Sequence, residues 1–167
     1  MTRMQRLFAN LFGGWFQLRQ RFPAMLLDEL ADAVTVGERD HLGEVRFAVE
    51  SRLTVRAVLA GMDARTRAQE VFAQLRVWDT EDNCGVLIYL LLSEQRIEIV
   101  ADRGIVQRVA QSQWDGVCAL MRDHFAAARW REGSLAGLAA IHALLREHFP
   151  AGDRENPDEL PDRPVLL

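Results

Sequence analysis

Five side chains of the types that hold hard cations fall at the borders of predicted strands: Glu44, Asp79, Asp82, Asn83 and Asp102. Carboxylates and amide carbonyls are the oxygen donors that calcium and magnesium take, and the two ions are told apart by ligand number and cavity size. Three of the five crowd one acidic turn, Asp79-Thr80-Glu81-Asp82-Asn83, just ahead of an apolar run from Val86 to Leu92. Asp102 closes a second run, Arg96 to Ala101, reached across a short polar break at Ser93-Glu94-Gln95. Chain direction is what would join them. If strands beginning at Glu44 and Val86 are parallel, their starts share one end of a sheet, and a hairpin returns Asp102 to that end. A divalent ion bound there would relieve the mutual repulsion. Glu38 and His41 could reach the same rim. Two arguments weigh the other way. Asp and Asn before a strand are ordinary turn residues, and ligand sites in open α/β sheets favour the carboxyl ends of parallel strands rather than the amino ends.

Other reactive types carry less. Glu38-Arg39-Asp40-His41 has E-x-x-H spacing in a single copy. His124, His142 and His148 lie on helical stretches without partners at ligand spacing, which favours structural roles. Cys84 and Cys118 have no C-x-x-C spacing and read as reduced, buried, small hydrophobes. No G-x-S-x-G, P-loop or G-x-G-x-x-G occurs, and Ser93, Ser112 and Ser134 all have turn or cap explanations. No nucleophile is nominated.

The elements that must position the acidic residues are legible from periodicity. Val86 to Leu92 is too short for a membrane span and has no polar stripe. Bounded by turn residues and rich in β-branched and aromatic side chains, it reads as a strand buried on both faces and central in its sheet. Arg96 to Ala101 alternates, with Ile97, Ile99 and Ala101 on one side and Glu98 and Val100 on the other, so a hairpin is predicted. Gly43 opens another strand, Glu44 to Glu50, with Val45, Phe47 and Val49 on one face. Pro23 starts a helix that should end near Gly37. Asp63 is an N-cap for a helix striped by Ala68, Val71, Phe72 and Leu75, a suitable crossover between two parallel strands. Residues 51–62 fit a strand, a loop or a short helix. Beyond Gly104 the pattern is helical to Phe149, with a capping box expected at Ser112-Gln113-Trp114-Asp115 and a separation between helices at Gly133-Ser134. The tail from 150 to 167 is rich in proline and acid and is expected to be extended or disordered.

Composition bounds the rest. The chain has 167 residues, 49% of them hydrophobic, which suits one compact domain with short tails. A net charge of −4 argues against a general nucleic-acid binder. Residues 1–22 are the exception to the acidic balance: Arg3, Arg6, Arg19 and Arg21 occur with no acid before Asp28. Met4, Leu7, Phe8, Leu11, Phe12, Trp15 and Phe16 recur at three- and four-residue steps, so this is a basic amphipathic helix interrupted at Gly13-Gly14. It is expected to pack on its own domain or on a second copy in a homodimer, or to meet a protein partner or an anionic membrane surface. The apolar stretch is broken and no A-x-A cleavage pattern follows, which predicts a cytoplasmic chain, peripheral at the membrane.

The order of these motifs resembles a family. A strand opens at Gly43-Glu44, a helix intervenes, and Asn83-Cys84-Gly85-Val86-Leu87 enters a buried strand. Arg96-Ile97-Glu98-Ile99, a glycine-containing turn and two closing helices follow. Over roughly residues 26–149 this resembles the TPM domain, found in thylakoid-lumen proteins that support photosystem II repair and in many bacterial proteins. The resemblance implies a three-layer α/β/α sandwich with a mixed sheet. Some members are described as acid phosphatases or calcium binders, which would place Glu44, Asp82, Asn83 and Asp102 in an acidic groove. The chain departs from the pattern in having Asp102-Arg103-Gly104 where many members have a GYG-like turn, and in carrying its next acid only at Asp115. These departures bear on catalysis more than on fold. The function expected is therefore a non-catalytic accessory domain with calcium or magnesium at its acidic rim. The alternative is a divalent-metal-dependent phosphoesterase with Arg103 as a phosphate ligand.

Overall fold

The computed structural model describes residues 2–12, 14–152 and 159–167. The seven residues of β1 (Glu44–Glu50) and of β2 (Gly85–Leu91) are buried throughout. They pair in parallel from Glu44 opposite Gly85 to Glu50 opposite Leu91. The hairpin partner β3 (Arg96–Ala101) runs antiparallel to β2, with Val86 opposite Ala101. Val165–Leu166 forms β4, parallel to β1 beside Ala48 and Val49, so the sheet order is β3-β2-β1-β4. The end of the acidic tail is thus extended and paired. Residues 153–158, assigned to the same tail, lie outside the described residues.

Alternation along the strands divides the apolar side chains into two cores, as the period of two requires. Val45, Phe47, Val49, Val86, Ile88, Leu90 and Ile99 face helices α3 (Ala24–Glu38), α7 (Gln111–Ala126) and α8 (Trp130–His148). Ala48, Leu87, Tyr89, Leu91 and Val100 face α4 (Val55–Leu59) and α5 (Ala64–Gln74). The result is the mixed-sheet α/β/α sandwich expected. Residues 51–62, left open between three readings, hold α4, capped by Thr54, whose hydroxyl accepts from the Ala57 amide. Asp63 caps α5 through the Thr66 amide as predicted.

Two helix boundaries differ from expectation. Helix α7 begins at Gln111, and Gln113 reaches back to the Ala110 amide at 3.0 Å, so Ser112 lies inside the first turn instead of capping it. Gly133 and Ser134 lie inside α8, not before it. A Cβ on Gly133 would stand 2.7 Å from the Phe125 ring, so the glycine marks close packing of α7 on α8. Gly85 answers a similar demand at the start of β2, where a Cβ would fall 1.8 Å from the Val77 carbonyl oxygen.

The basic N-terminal segment forms α1 (Arg3–Phe12) and α2 (Trp15–Arg21). Helix α1 packs on its own domain. Arg6 pairs with Glu94 at 2.9 Å in the β2–β3 turn. Asn10, 1% exposed, accepts from the Leu53 amide and donates to Glu94. Leu18 and Phe22 enter the core.

Strand β1 carries two acids and an arginine into the interior: Glu44, Arg46 and Glu50 are all buried. Glu50 accepts from the Tyr89 hydroxyl at 2.7 Å and from Arg67 at 2.8 Å, and Arg67 also pairs with Glu70. Burial, and then the bond to Glu50, push the Tyr89 hydroxyl far above its ordinary pKa, so it stays a donor. Removing one member of a buried pair leaves an uncompensated charge. Arg67→Ala should therefore cost about 3–5 kcal/mol, and Tyr89→Phe about 1.5–3 kcal/mol. Denaturant unfolding of both variants checks the order, and equal costs would mean that Glu50 is not held by the guanidinium.

Candidate functional site

The acidic residues do meet at one border of the sheet, as chain direction requires. The Asp102 amide donates to the Gly85 carbonyl at 2.8 Å, beside the start of β1 at Glu44. Asn83 sits at φ 53°, a left-handed conformation that asparagine tolerates better than most residues. Its carbonyl accepts from the Gly104 amide at 3.2 Å and its side-chain oxygen from Arg103 at 3.0 Å. The turn before β2 is thereby stitched to the turn after β3. A Cβ on Gly104 would stand 2.6 Å from the Asn83 carbonyl oxygen and 3.0 Å from that of Asp82.

The side chains converge less than the backbone. Asp102 spends Oδ1 on the Arg103 amide, capping α6 (Arg103–Val106), while its buried Oδ2 has no hydrogen-bond partner. Glu44 lies under the rim and accepts from the Leu160 amide at 3.1 Å. Asp79 is drawn to Arg76. Glu38 accepts from the Val45 amide at 2.7 Å. The Glu81 amide is taken by Glu159 of the tail. Of the oxygen donors proposed for a cation, Asp82 and Asn83 lie in the turn before β2 and Asp102 in the facing turn after β3, while Glu44 and Asp79 are committed elsewhere. Among the described residues no group of three or more His, Cys, Asp or Glu is arranged to hold a metal ion. Arg103, proposed for phosphate, is exposed and reaches Asn83.

Sequence reasoning missed two neighbours of Asp82. A cleft of about 190 Å³ at the rim is lined by Asp82, Cys84, Arg108 and His148. Arg108 lies over the Phe149 ring and donates to the His148 carbonyl. An acid, an imidazole and a guanidinium around a small cleft suit a small polar ligand. The residues come from the β2 turn, the segment after α6 and the end of α8, so no local spacing announces them. Neither cysteine is in a disulfide. Cys84 is buried and Cys118 half-buried. Burial, then Glu98, push the Cys118 thiol up to about 11, which keeps it protonated and a poor nucleophile.

A second pairing also escaped sequence reasoning. His41 and His142 stack with ring centroids 5.1 Å apart, and His41 Nε2 lies 2.8 Å from His142 Nδ1. The Gly43 amide donates to His41 Nδ1, so His41 carries its proton on Nε2 and donates to His142. His142 then carries its proton on a buried Nε2 that has no hydrogen-bond partner. Gly37 permits this arrangement, since a Cβ there would lie 2.4 Å from the His142 ring.

Burial first, then the facing imidazole, lower His41 to about 4. Burial first, then Arg146, lower His142 to about 4, and Asp40 opposes both shifts. With folded pKa values below the unfolded value of about 6.5, the pair stabilises the fold fully above that pH. The contribution is lost as pH falls from about 6.5 to about 4. Each histidine adds a slope of at most about 1.4 kcal/mol per pH unit. Unfolding measured at a series of pH values should show a shallower decline for His142→Gln than for the wild type. Parallel profiles would mean that His142 titrates normally.

No curated protein matches this chain. Among solved structures, the NMR structure of BA42 protein from the psychrophilic bacterium Bizionia argentinensis superposes with a TM-score of 0.76 at 26% identity, covering 86% of this chain and 94% of that one. The TPM domain profile matches residues 26–144, from α3 through most of α8, and takes in both the rim and the histidine pair. The chain belongs to the TPM domain family.

Proposed function

We propose that the protein is a non-catalytic TPM accessory domain that docks on an anionic membrane surface through its N-terminal helix. One observation carries this reading: α1 is fixed to the domain by Arg6, Leu7 and Asn10 and keeps an apolar side largely exposed to solvent. Met4, Phe8 and Leu11 are 68%, 57% and 47% exposed, one above another at helical spacing, while Arg6, Leu7 and Asn10 make the inward contacts. Phe16 in the next helix is 80% exposed. The side chains of Phe12 and Trp15, assigned to the same surface, lie outside the described residues. Apolar side chains flanked by arginines are what an anionic bilayer interface recognises, and residues 1–22 contain four arginines and no acid. Among the described residues no helix is long and apolar enough to cross a membrane.

Flotation with phosphatidylserine-containing vesicles tests the proposal on the full chain. Binding should weaken with salt and fall at least about tenfold when Met4, Phe8 and Leu11 are together replaced by serine, given the apolar area withdrawn. Wild-type protein that stays with the unbound fraction would exclude lipid as the target and leave a protein partner for that face.

A second reading rests on the unpartnered Oδ2 of Asp102 and on the carbonyls of Asp82 and Asn83 that the adjacent Gly104 approaches closely. These oxygens suit weak binding of calcium or magnesium, with Arg103 available to a phosphate oxygen if the domain is a phosphatase-like hydrolase. Calorimetric titration should give heat with calcium or magnesium that Asp102→Asn abolishes, with phosphomonoester hydrolysis measured alongside. Heat unchanged by Asp102→Asn removes the ion from this rim, and absence of turnover removes the hydrolase.

A further inference from the structure

The opposite end of the sheet holds a cavity that none of the family comparisons assigns. It has a volume of about 390 Å³, within the range of small-molecule pockets. It opens where β2 ends and β3 begins, between that hairpin and the close of α7. Its apolar lining includes Leu90, Leu92, Ile97, Phe125 and Trp130. This is the carboxyl end of the parallel pair β1 and β2, the end at which open α/β sheets bind ligands.

The aromatic wall is built before any ligand arrives. Phe125 and Trp130 stack at 4.8 Å with 24° between their planes, Phe22 meets Trp130 edge-on at 6.3 Å, and the Arg21 guanidinium lies 4.5 Å over the Trp130 ring. The polar groups at the mouth are unequal. Arg96 is paired with Glu98 at 3.1 Å. Arg122 lines both this cavity and the shallower groove beside it, and among the described residues it has no hydrogen bond or ion pair. Glu98 and Asp115 line that groove together with Arg65, which lies 4.0 Å from Glu98.

We infer that this cavity binds a small monocarboxylate with an apolar tail, the tail against Phe125 and Trp130 and the carboxylate on Arg122. A guanidinium fork matches the two oxygens of a carboxylate. The charged residues lining the groove, Arg65, Arg96 and Arg122 with Glu98 and Asp115, leave one positive charge in balance, which matches a monoanion better than a dianion. A mainly apolar chamber rewards burial of the tail.

Octanoate titrated into the full chain, followed by calorimetry and by the Trp130 indole signal in NMR, is the test. Saturable one-to-one binding is expected, with a dissociation constant on the order of 1 mM or tighter for a ligand of this size. Arg122→Ala, an exposed position that should not disturb folding, should weaken it about tenfold, and the neutral octanamide should bind the wild type about tenfold more weakly than octanoate. Arg39→Ala, at an exposed position just after α3 and away from the cavity, should leave binding unchanged. Failure of octanoate to saturate overturns the inference, as does equal affinity of octanoate for wild type and Arg122→Ala, or of octanamide and octanoate for the wild type. Octyl phosphate binding more tightly than octanoate would overturn the assignment to a monoanion.

Discussion

Strand β1 sets the terms for the rest of the fold, because it is buried at all seven positions while carrying Glu44, Arg46 and Glu50. A charge taken out of water is tolerated only with a partner and good hydrogen bonds. Each of these three therefore recruits a distant segment. Glu50 binds Tyr89 on β2 and Arg67 on α5. Glu44 takes the Leu160 amide, and Arg46 reaches the Arg163 carbonyl. The helical layer over β1 and the end of the tail are thus held by polar demand as well as by apolar contact. This explains why a proline-rich, acidic tail of low helical and strand propensity still closes on the sheet. Its β4 supplies only two residues of pairing, and Leu160 and Arg163 supply the anchors beside it.

What the sequence made legible follows from period and polarity. A run of seven apolar residues admits few alternatives to a buried strand, and strict alternation over Arg96 to Ala101 fixes which side of β3 faces which core. Once the hairpin is accepted, the meeting of Asp102 with the start of β1 is a matter of direction alone. The helix boundaries were harder, because Gly133 and Ser134, residues that often end or cap helices, are buried here inside α8. Here packing overrides propensity. Gly133 serves a close helix crossing, and Gln113 performs the capping that Ser112 was expected to do. The five residues of α4 give too little periodicity to separate a helix from a strand.

The candidate site was legible as a location and not as a ligand set. Backbone topology decides that the acids approach, but hydrogen-bonding supply decides what their oxygens do on arrival. At the rim, backbone amides of Arg103 and Leu160, together with the Arg76 and Arg103 side chains, compete for the same oxygens a cation would use. A turn that must cap a helix and close a hairpin spends its acids on those tasks first. The histidine pair is the opposite case. His41 and His142 are 101 positions apart, with nothing in either local pattern to join them, yet the geometry is specific because Gly37 leaves room and the Gly43 amide fixes the tautomer.

The two ends of the sheet consequently differ in kind. At the amino end, short turns face one another and satisfy each other, so the surface is polar and internally bonded. At the carboxyl end, β2 and β3 are joined by a turn whose polar residues point outward to the N-terminal helix: Glu94 binds Arg6 and Asn10, and Ser93 donates to Asn10. The residues just before and just after that turn are left to line the apolar cavity. Helix α1 and the cavity therefore share one rigid hairpin. The exposed apolar side of α1 and the uncommitted guanidinium of Arg122 both lie at this end of the domain.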